Sequence, residues 1–257
     1  MKQVGLQLYT VRDQMSDPKN IPDVFQKIAA MGYTQAQTAG DFHDVEAFAK
    51  AAKDAGVKIV GTHYSWDKIR NDIEGTVRVH EILGTKNVGI GGMPLEPRTD
   101  FDALMAFIDE CNRVAAALKP YGCTFTYHNH SFEFVKIKDN KTVMDYLIEG
   151  FGDNITFVLD TYWVQHGGAD IRRMIERLSG RIEIMHLKDM AAVDPNTKAP
   201  YITDVGSGNI DMKDIVATAE QHGVKYFVVE QDGNYEVDSM TSAEKSCRYL
   251  LDNVCEK

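Results

Sequence analysis

This chain of 257 residues is poor in cysteine, in positive charge and in long apolar runs, and each shortage removes a class of protein. Its four cysteines, Cys111, Cys123, Cys247 and Cys255, show no CxxC spacing. That argues against a zinc knuckle or a disulfide framework and for buried thiols, Cys111 and Cys247 falling on apolar helix faces. Purely apolar stretches last only a few residues, far short of the roughly 20 that span a bilayer. Met1 to Leu6 leads directly into a strand with no signal-peptide core, so a cytoplasmic location is expected. Lys and Arg number 28 against 38 Asp and Glu, a net charge of -10 that opposes nucleic acid and anionic membrane as partners. Nucleotide fingerprints are missing too: no GxGxxG follows the first strand, no GxxxxGK[ST] occurs, and Gly89-Ile90-Gly91-Gly92 is too short to count. No Pro- or Ser-rich linker or low-complexity tract marks a boundary, so a single domain over 1–257 is expected.

What is present is an alternation of two periods, repeated eight times. Strand candidates are 4–10, 33–38, 57–63, 85–91, 123–130, 154–161, 181–188 and 224–231. Between them apolar residues recur at helical spacing, as in Ile21, Val24, Phe25, Ile28 and Ile171, Met174, Ile175, Leu178. Glycines 32, 56, 84, 122, 152, 180 and 223 stand just before the next strand, where a helix C-cap belongs. Thr241 with Glu244 resembles a capping box opening the last helix. Repeated βα units with short returns imply parallel strands and right-handed crossovers. Eight of them suit an α/β fold closed as a (β/α)8 TIM barrel, with an open doubly wound sheet as the other arrangement. Loops following strands are the longer ones, notably 131–139 and 191–208, which puts the active site at the C-terminal mouth of the strands.

Four of the later strands end an apolar run on a group able to hold a cation. Phe157-Val158-Leu159 leads to Asp160, Ile184-Met185 to His186, and Phe227-Val228-Val229 to Glu230. Phe125-Thr126-Tyr127 leads to His128, with His130 and Glu133 close behind. Parallel strands ending together bring such side chains to one point, where carboxylates and imidazoles bind Mn²⁺, Co²⁺, Zn²⁺ or Mg²⁺. Each residue alone has a plainer reading. A strand-end Asp is often a helix N-cap, but Thr161-Tyr162-Trp163-Val164 does not look like a helix start. His186 alone would read as a core histidine, yet Lys188 and Asp189 make its strand end polar. The conjunction favours a site. His43, His80 and His222 fall on helix sides and read as surface residues. Tyr9 and His63, ending strands one and three, are expected at the mouth, Trp163 as a wall for a sugar face, and Gln35 or Gln37 of the unusually polar strand two as reaching the substrate.

These segments resemble a known group. Gly5-Leu6-Gln7-Leu8-Tyr9-Thr10-Val11-Arg12-Asp13, Tyr127-His128-Asn129-His130-Ser131-Phe132-Glu133-Phe134, Asp160-Thr161-Tyr162-Trp163 and His186-Leu187-Lys188-Asp189 look like the sugar phosphate isomerase/epimerase family of the xylose-isomerase-like barrel superfamily. Val205 to Asp211 and Val228 to Asp232 extend the likeness over essentially the whole chain. The resemblance implies one divalent ion, most often Mn²⁺, held by Glu, Asp, His and Glu from successive strands. Asp160, His186 and Glu230 match the last three positions. At the first, His128 stands where many relatives carry Glu, so either His128 ligates or Glu133 folds back from the loop. A hard cation favours the extra carboxylate, and Glu133 is the preferred choice.

The chemistry implied is proton abstraction beside a carbonyl, through an enediolate, giving an isomerase or epimerase of a keto-sugar or related polyol. Glu230 is the candidate base or acid, with His130, Glu133 or His128 beside it, and Lys188 stabilises the oxyanion or neutralises carboxylates. Gly206-Ser207-Gly208 either offers N–H groups to a substrate anion or is a loop entering helix seven. The alternative is a lyase or dehydratase acting on a keto-inositol or 3-keto-glycoside, which His128 in place of Glu mildly favours. An endonuclease IV-like DNA repair enzyme ranks third, since it needs about three zinc ions and a basic face. The expected partner is a small-molecule sugar or polyol, and a homo-oligomer is compatible with the sequence.

Overall fold

The computed structural model describes residues 1–194 and 196–256, so Pro195, within the expected long loop 191–208, lies outside the described residues. Eight parallel strands form a nearly closed barrel with helices between them. They are β1 (Gly5–Gln7), β2 (Gln35–Ala39), β3 (Lys58–His63), β4 (Asn87–Ile90), β5 (Thr124–His128), β6 (Ile155–Asp160), β7 (Ile182–Leu187) and β8 (Tyr226–Val229). Their hydrogen-bonded order is β3-β2-β1-β8-β7-β6-β5-β4, so the first and last strands of the chain pair and the ladder opens only between β3 and β4.

That seam is closed by other means. The Tyr64 N–H donates to the Gly89 carbonyl at 2.7 Å, the Asn87 side-chain amide to the Val60 carbonyl at 2.8 Å, and the Gly89 N–H to Thr62 Oγ1 at 3.3 Å. The backbones approach so closely that a Cβ on Gly89 would lie 2.2 Å from the Thr62 carbonyl oxygen. Only glycine fits there.

Several boundaries differ from the sequence expectation. β1 stops at Gln7 because the Gln7 side chain accepts from the Tyr9 N–H and turns Leu8–Val11 into a 3₁₀ turn. The final helix, Ser239–Asn253, is capped by Asp238, whose carboxylate accepts from Thr241, so Thr241 lies inside the first turn rather than opening the helix. Asp160 does cap a helix after all: its Oδ1 accepts from the Trp163 N–H at 2.9 Å at the start of Thr161–His166. Each expected long loop carries a two-stranded antiparallel hairpin, Lys136–Lys138 with Lys141–Thr142 and Asp189–Ala191 with Tyr201–Thr203. Gly32 and Gly84 close their helices at φ of 113° and 71°, whereas Gly152 has ordinary φ and donates to Asn112 Oδ1. Cys111, Cys123 and Cys247 are buried free thiols, and Cys255 is half-buried.

The large apolar core lies between strands and helices, while a smaller cluster of Val60, Val158, Ile184 and Val228 packs separately. Because strand side chains alternate, residues two further on share the face of Val158, Ile184 and Val228. Those residues are Asp160, His186 and Glu230. Pairing sets Asp160 opposite His186, and Glu230 lies two residues beyond Val228, the partner of His186 on the other side. An apolar layer thus underlies a polar one. No helix among the described residues is long and apolar enough to cross a membrane.

Candidate metal centre

His128, Asp160, His186 and Glu230 converge at the C-terminal ends of β5 to β8, each offering a donor atom within 4.8 Å of the others, and all four are buried. His128 Nε2 lies 3.4 Å from Asp160 Oδ2 and 3.9 Å from Glu230 Oε2. His186 Nδ1 lies 3.6 Å from Asp160 Oδ2 and 3.1 Å from Glu230 Oε2. Bond lengths of about 2.0–2.2 Å put tetrahedral donors roughly 3.3–3.6 Å apart, and the four spacings bracket that range.

The imidazoles are oriented for the same purpose. His186 Nε2 meets Gln37 Oε1 at 2.5 Å, and His128 Nδ1 meets the Gly91 carbonyl oxygen at 3.3 Å. Both acceptors are oxygens, so the far nitrogen of each ring donates, and the other nitrogen faces the carboxylates and can ligate once it carries no proton. Charge points the same way. Asp160, Glu230 and Asp232 surround one ammonium, that of Lys188, at 3.8, 3.2 and 2.8 Å, which leaves two carboxylates to be balanced by a protonated His186 or by a bound cation. Buried carboxylates in this balance fit a divalent ion.

Burial works against ionisation of these groups, and their partners overcome it. Desolvation raises the Glu230 carboxyl, but Lys188 and His186 hold it well below the usual carboxylate range. Asp160 is likewise lowered, by Lys188 and His128 against burial. Burial pulls His186 down, yet Glu230 and Asp160 lift it to about 9. Burial and then His128 lower His130 to about 3, and the same two causes hold His63 well below the usual imidazole value. Both are neutral at neutral pH, and each has a buried ring nitrogen, His130 Nδ1 and His63 Nε2, without a hydrogen-bond partner.

A cavity of about 500 Å³ opens over this centre, lined among others by Tyr9, His63, His128, His130, Glu230 and Asp232. Tyr9, His63 and His130 therefore line it. Trp163 is half-buried beside His130, with Lys188 Nζ 4.9 Å from its ring. Lys188 is fully buried and ion-paired, a position that favours charge neutralisation over substrate contact.

Glu133 lies elsewhere than expected. Its Oε1 accepts from the Tyr127 hydroxyl at 2.6 Å and its Oε2 from the His130 N–H at 2.8 Å, in full burial. Burial lifts its pKa to about 7 against the Tyr127 hydrogen bond. The 3₁₀ turn Phe132–Phe134 aims it into the wall, and His128 takes the fourth place in the cluster. Gln37 bonds His186 and Gln7, and Gln35 bonds Gln3, so neither reaches the cavity as expected. The Gly206 and Gly208 N–H groups, considered for a substrate anion, donate to Asp189 Oδ2 at 2.9 and 3.0 Å. His80 is no surface residue: it is buried, between the Thr76 carbonyl and Thr62 Oγ1. Asp232, not singled out from the sequence, lines the cavity and holds Lys188. The period-two step from Glu230 was the available signal.

The fold, with this candidate centre at its mouth, is a TIM barrel of a known kind. A profile of the xylose isomerase-like TIM barrel family matches residues 25–253, and the chain belongs to that family. Comparison with curated protein sequences finds no match. Among solved structures, a sugar phosphate isomerase/epimerase from Parabacteroides distasonis ATCC 8503 superposes with a TM-score of 0.82 at 22% identity, over 98% of this chain and 94% of that one. An L-ribulose 3-epimerase gives 0.73 at 16% identity, over 99% and 95%. The probable 3-DHS dehydratase AsbF from Bacillus anthracis gives 0.73 at 13%, over 98% and 100%. At these identities the likeness is one of fold.

Proposed function

We propose that the protein is a divalent-metal-dependent isomerase or epimerase of a keto-sugar or related polyol, working by proton transfer beside a carbonyl. The observation that carries this reading is the convergence of His128, Asp160, His186 and Glu230 under an open cavity lined by further acid–base groups. Two imidazoles with two carboxylates suit Mn²⁺, Co²⁺ or Zn²⁺ better than Mg²⁺. A divalent ion held there would polarise the substrate carbonyl and acidify the neighbouring C–H. Glu230, kept ionised by Lys188, is the group to take the proton. His130, neutral and among the residues lining the cavity, is the group to relay a proton there. Tyr9 and His63 position the sugar.

A lyase or dehydratase on the same scaffold is the second reading. It is favoured by an imidazole at the end of β5, His128, in the cluster place where a carboxylate was expected. Proton NMR of candidate keto-sugars and inososes in D₂O separates the two. Exchange of a C–H without loss of water or another leaving group supports the first reading, and elimination supports the second. Neither, across metal-loaded protein and a broad panel, sinks both.

A further inference from the structure

The mouth cavity has a neighbour with opposite chemistry. A cleft of about 640 Å³ lies against it, and the two share Tyr9, Ala39, Gly40 and Asp41 as a common wall. Beyond that wall the cleft is apolar, built by Met15, Ile21, Pro22, Phe42 and Phe48 from the segments that follow β1 and β2. Its charged side chains are engaged. The Arg12 guanidinium donates to the Tyr9 and Asp232 carbonyl oxygens and to the Tyr235 hydroxyl, and lies 4.1 Å from the Tyr9 ring centroid. Asp41 pairs with Lys68 at 2.9 Å, and Asp44 caps the helix Val45–Asp54. The site cavity itself is lined by the carboxylates Asp41, Glu230 and Asp232, with no Lys or Arg among the described lining residues. A phosphate bound there would meet carboxylates without the guanidinium or ammonium that recognises it.

From this juxtaposition we infer that the substrate is an unphosphorylated sugar carrying an apolar, ring-sized substituent, the sugar over the metal centre and the substituent in the cleft past Tyr9. This rests on the proposed reading of the mouth as a sugar site. Tyr9, 43% exposed, lines both spaces and forms the step between the two halves. An apolar group there replaces water against Met15 and Phe42, a gain that a bare sugar cannot make.

The test is binding of non-reacting probes, which separates it from turnover. Methyl and phenyl β-D-glucopyranoside are titrated calorimetrically into the Mn²⁺-loaded protein, with glucose and glucose 6-phosphate alongside. The phenyl glycoside should bind at least about tenfold tighter than the methyl glycoside, and glucose 6-phosphate no tighter than glucose. Phe42→Ala should erase the phenyl preference. Ala47→Phe, a substitution at an exposed helix position lining the cleft, should do the same by filling it, and both variants should leave methyl glycoside affinity unchanged. Equal affinities for phenyl and methyl glycosides, or tighter binding of the phosphate, overturn the inference and leave the sugar-site reading standing. Binding of neither glycoside overturns both. A phenyl preference without C–H exchange in D₂O removes the proposed reaction and keeps the cleft.

Discussion

Gln37 and His186, 149 residues apart in the chain, meet at 2.5 Å inside the barrel, amide oxygen to ring nitrogen. This contact fixes the ring so that Nδ1 faces Asp160 and Glu230. A ligand held this way loses affinity when its orienting partner is removed, typically by about 10–100-fold. Gln37→Ala should therefore weaken Mn²⁺ or Zn²⁺ binding by about that factor in competition with a fluorescent chelator, while far-UV circular dichroism stays native. Unchanged affinity would show that Gln37 does not orient the ring.

Metal binding should release protons. In the metal-free protein His186 titrates at about 9, so at neutral pH it is mostly protonated and must lose that proton to bind a cation. Apparent affinity should rise close to tenfold per pH unit below 9 and flatten above it. Calorimetry in buffers of different ionisation enthalpy at pH 7.5 should show about one proton released per ion. Zero release would contradict the arrangement.

Lys188 stabilises the metal-free state by standing among three carboxylates. Breaking a buried pair by removing one partner costs about 3–5 kcal/mol. Lys188→Met should lower the melting temperature of the metal-free protein, and added metal should raise it by more than in the wild type. An equal metal-induced rise in both would mean that Lys188 is not the substitute counter-charge.

Glu133 makes a pH-dependent contribution of definite sign. Its folded pKa, about 7, lies above the ordinary carboxyl value, so the native state favours the protonated form. The associated stability is fully present below the unfolded pKa and is lost as pH rises through about 7. Glu133→Gln, which cannot ionise, should not suffer that loss. Urea midpoints of the two proteins should diverge in favour of the variant between about pH 4.5 and 7, by on the order of 1–3 kcal/mol above pH 7. A constant offset across that range would show that Glu133 does not titrate there.

Asp160, His186 and Glu230 were legible in the sequence because each ends an apolar run, and strand periodicity puts them on the face of the apolar layer below. The eightfold alternation of periods gave the barrel for a similar reason. Choosing between His128 and Glu133 required the backbone of one turn. Hardness of the cation favoured the carboxylate, but the turn Phe132–Phe134 hands that carboxylate to Tyr127 and His130. Side-chain pairings across the barrel, such as Gln37 with His186 and His80 with Thr62, leave no local pattern, since each partner's position depends on strand register. The Gly206–Gly208 segment looked like an anion cradle, and its N–H groups do hold an anion, the carboxylate of Asp189.

Metal content after dialysis against Mn²⁺, Co²⁺ or Zn²⁺ and removal of excess, read by mass spectrometry on wild type, His128→Ala, His186→Ala and Glu133→Gln, tests the metal centre most directly. The expected outcome is one ion per chain in the wild type and in Glu133→Gln, and close to none in the two histidine variants. No bound ion in the wild type, or an ion kept by His128→Ala and lost by Glu133→Gln, would contradict it.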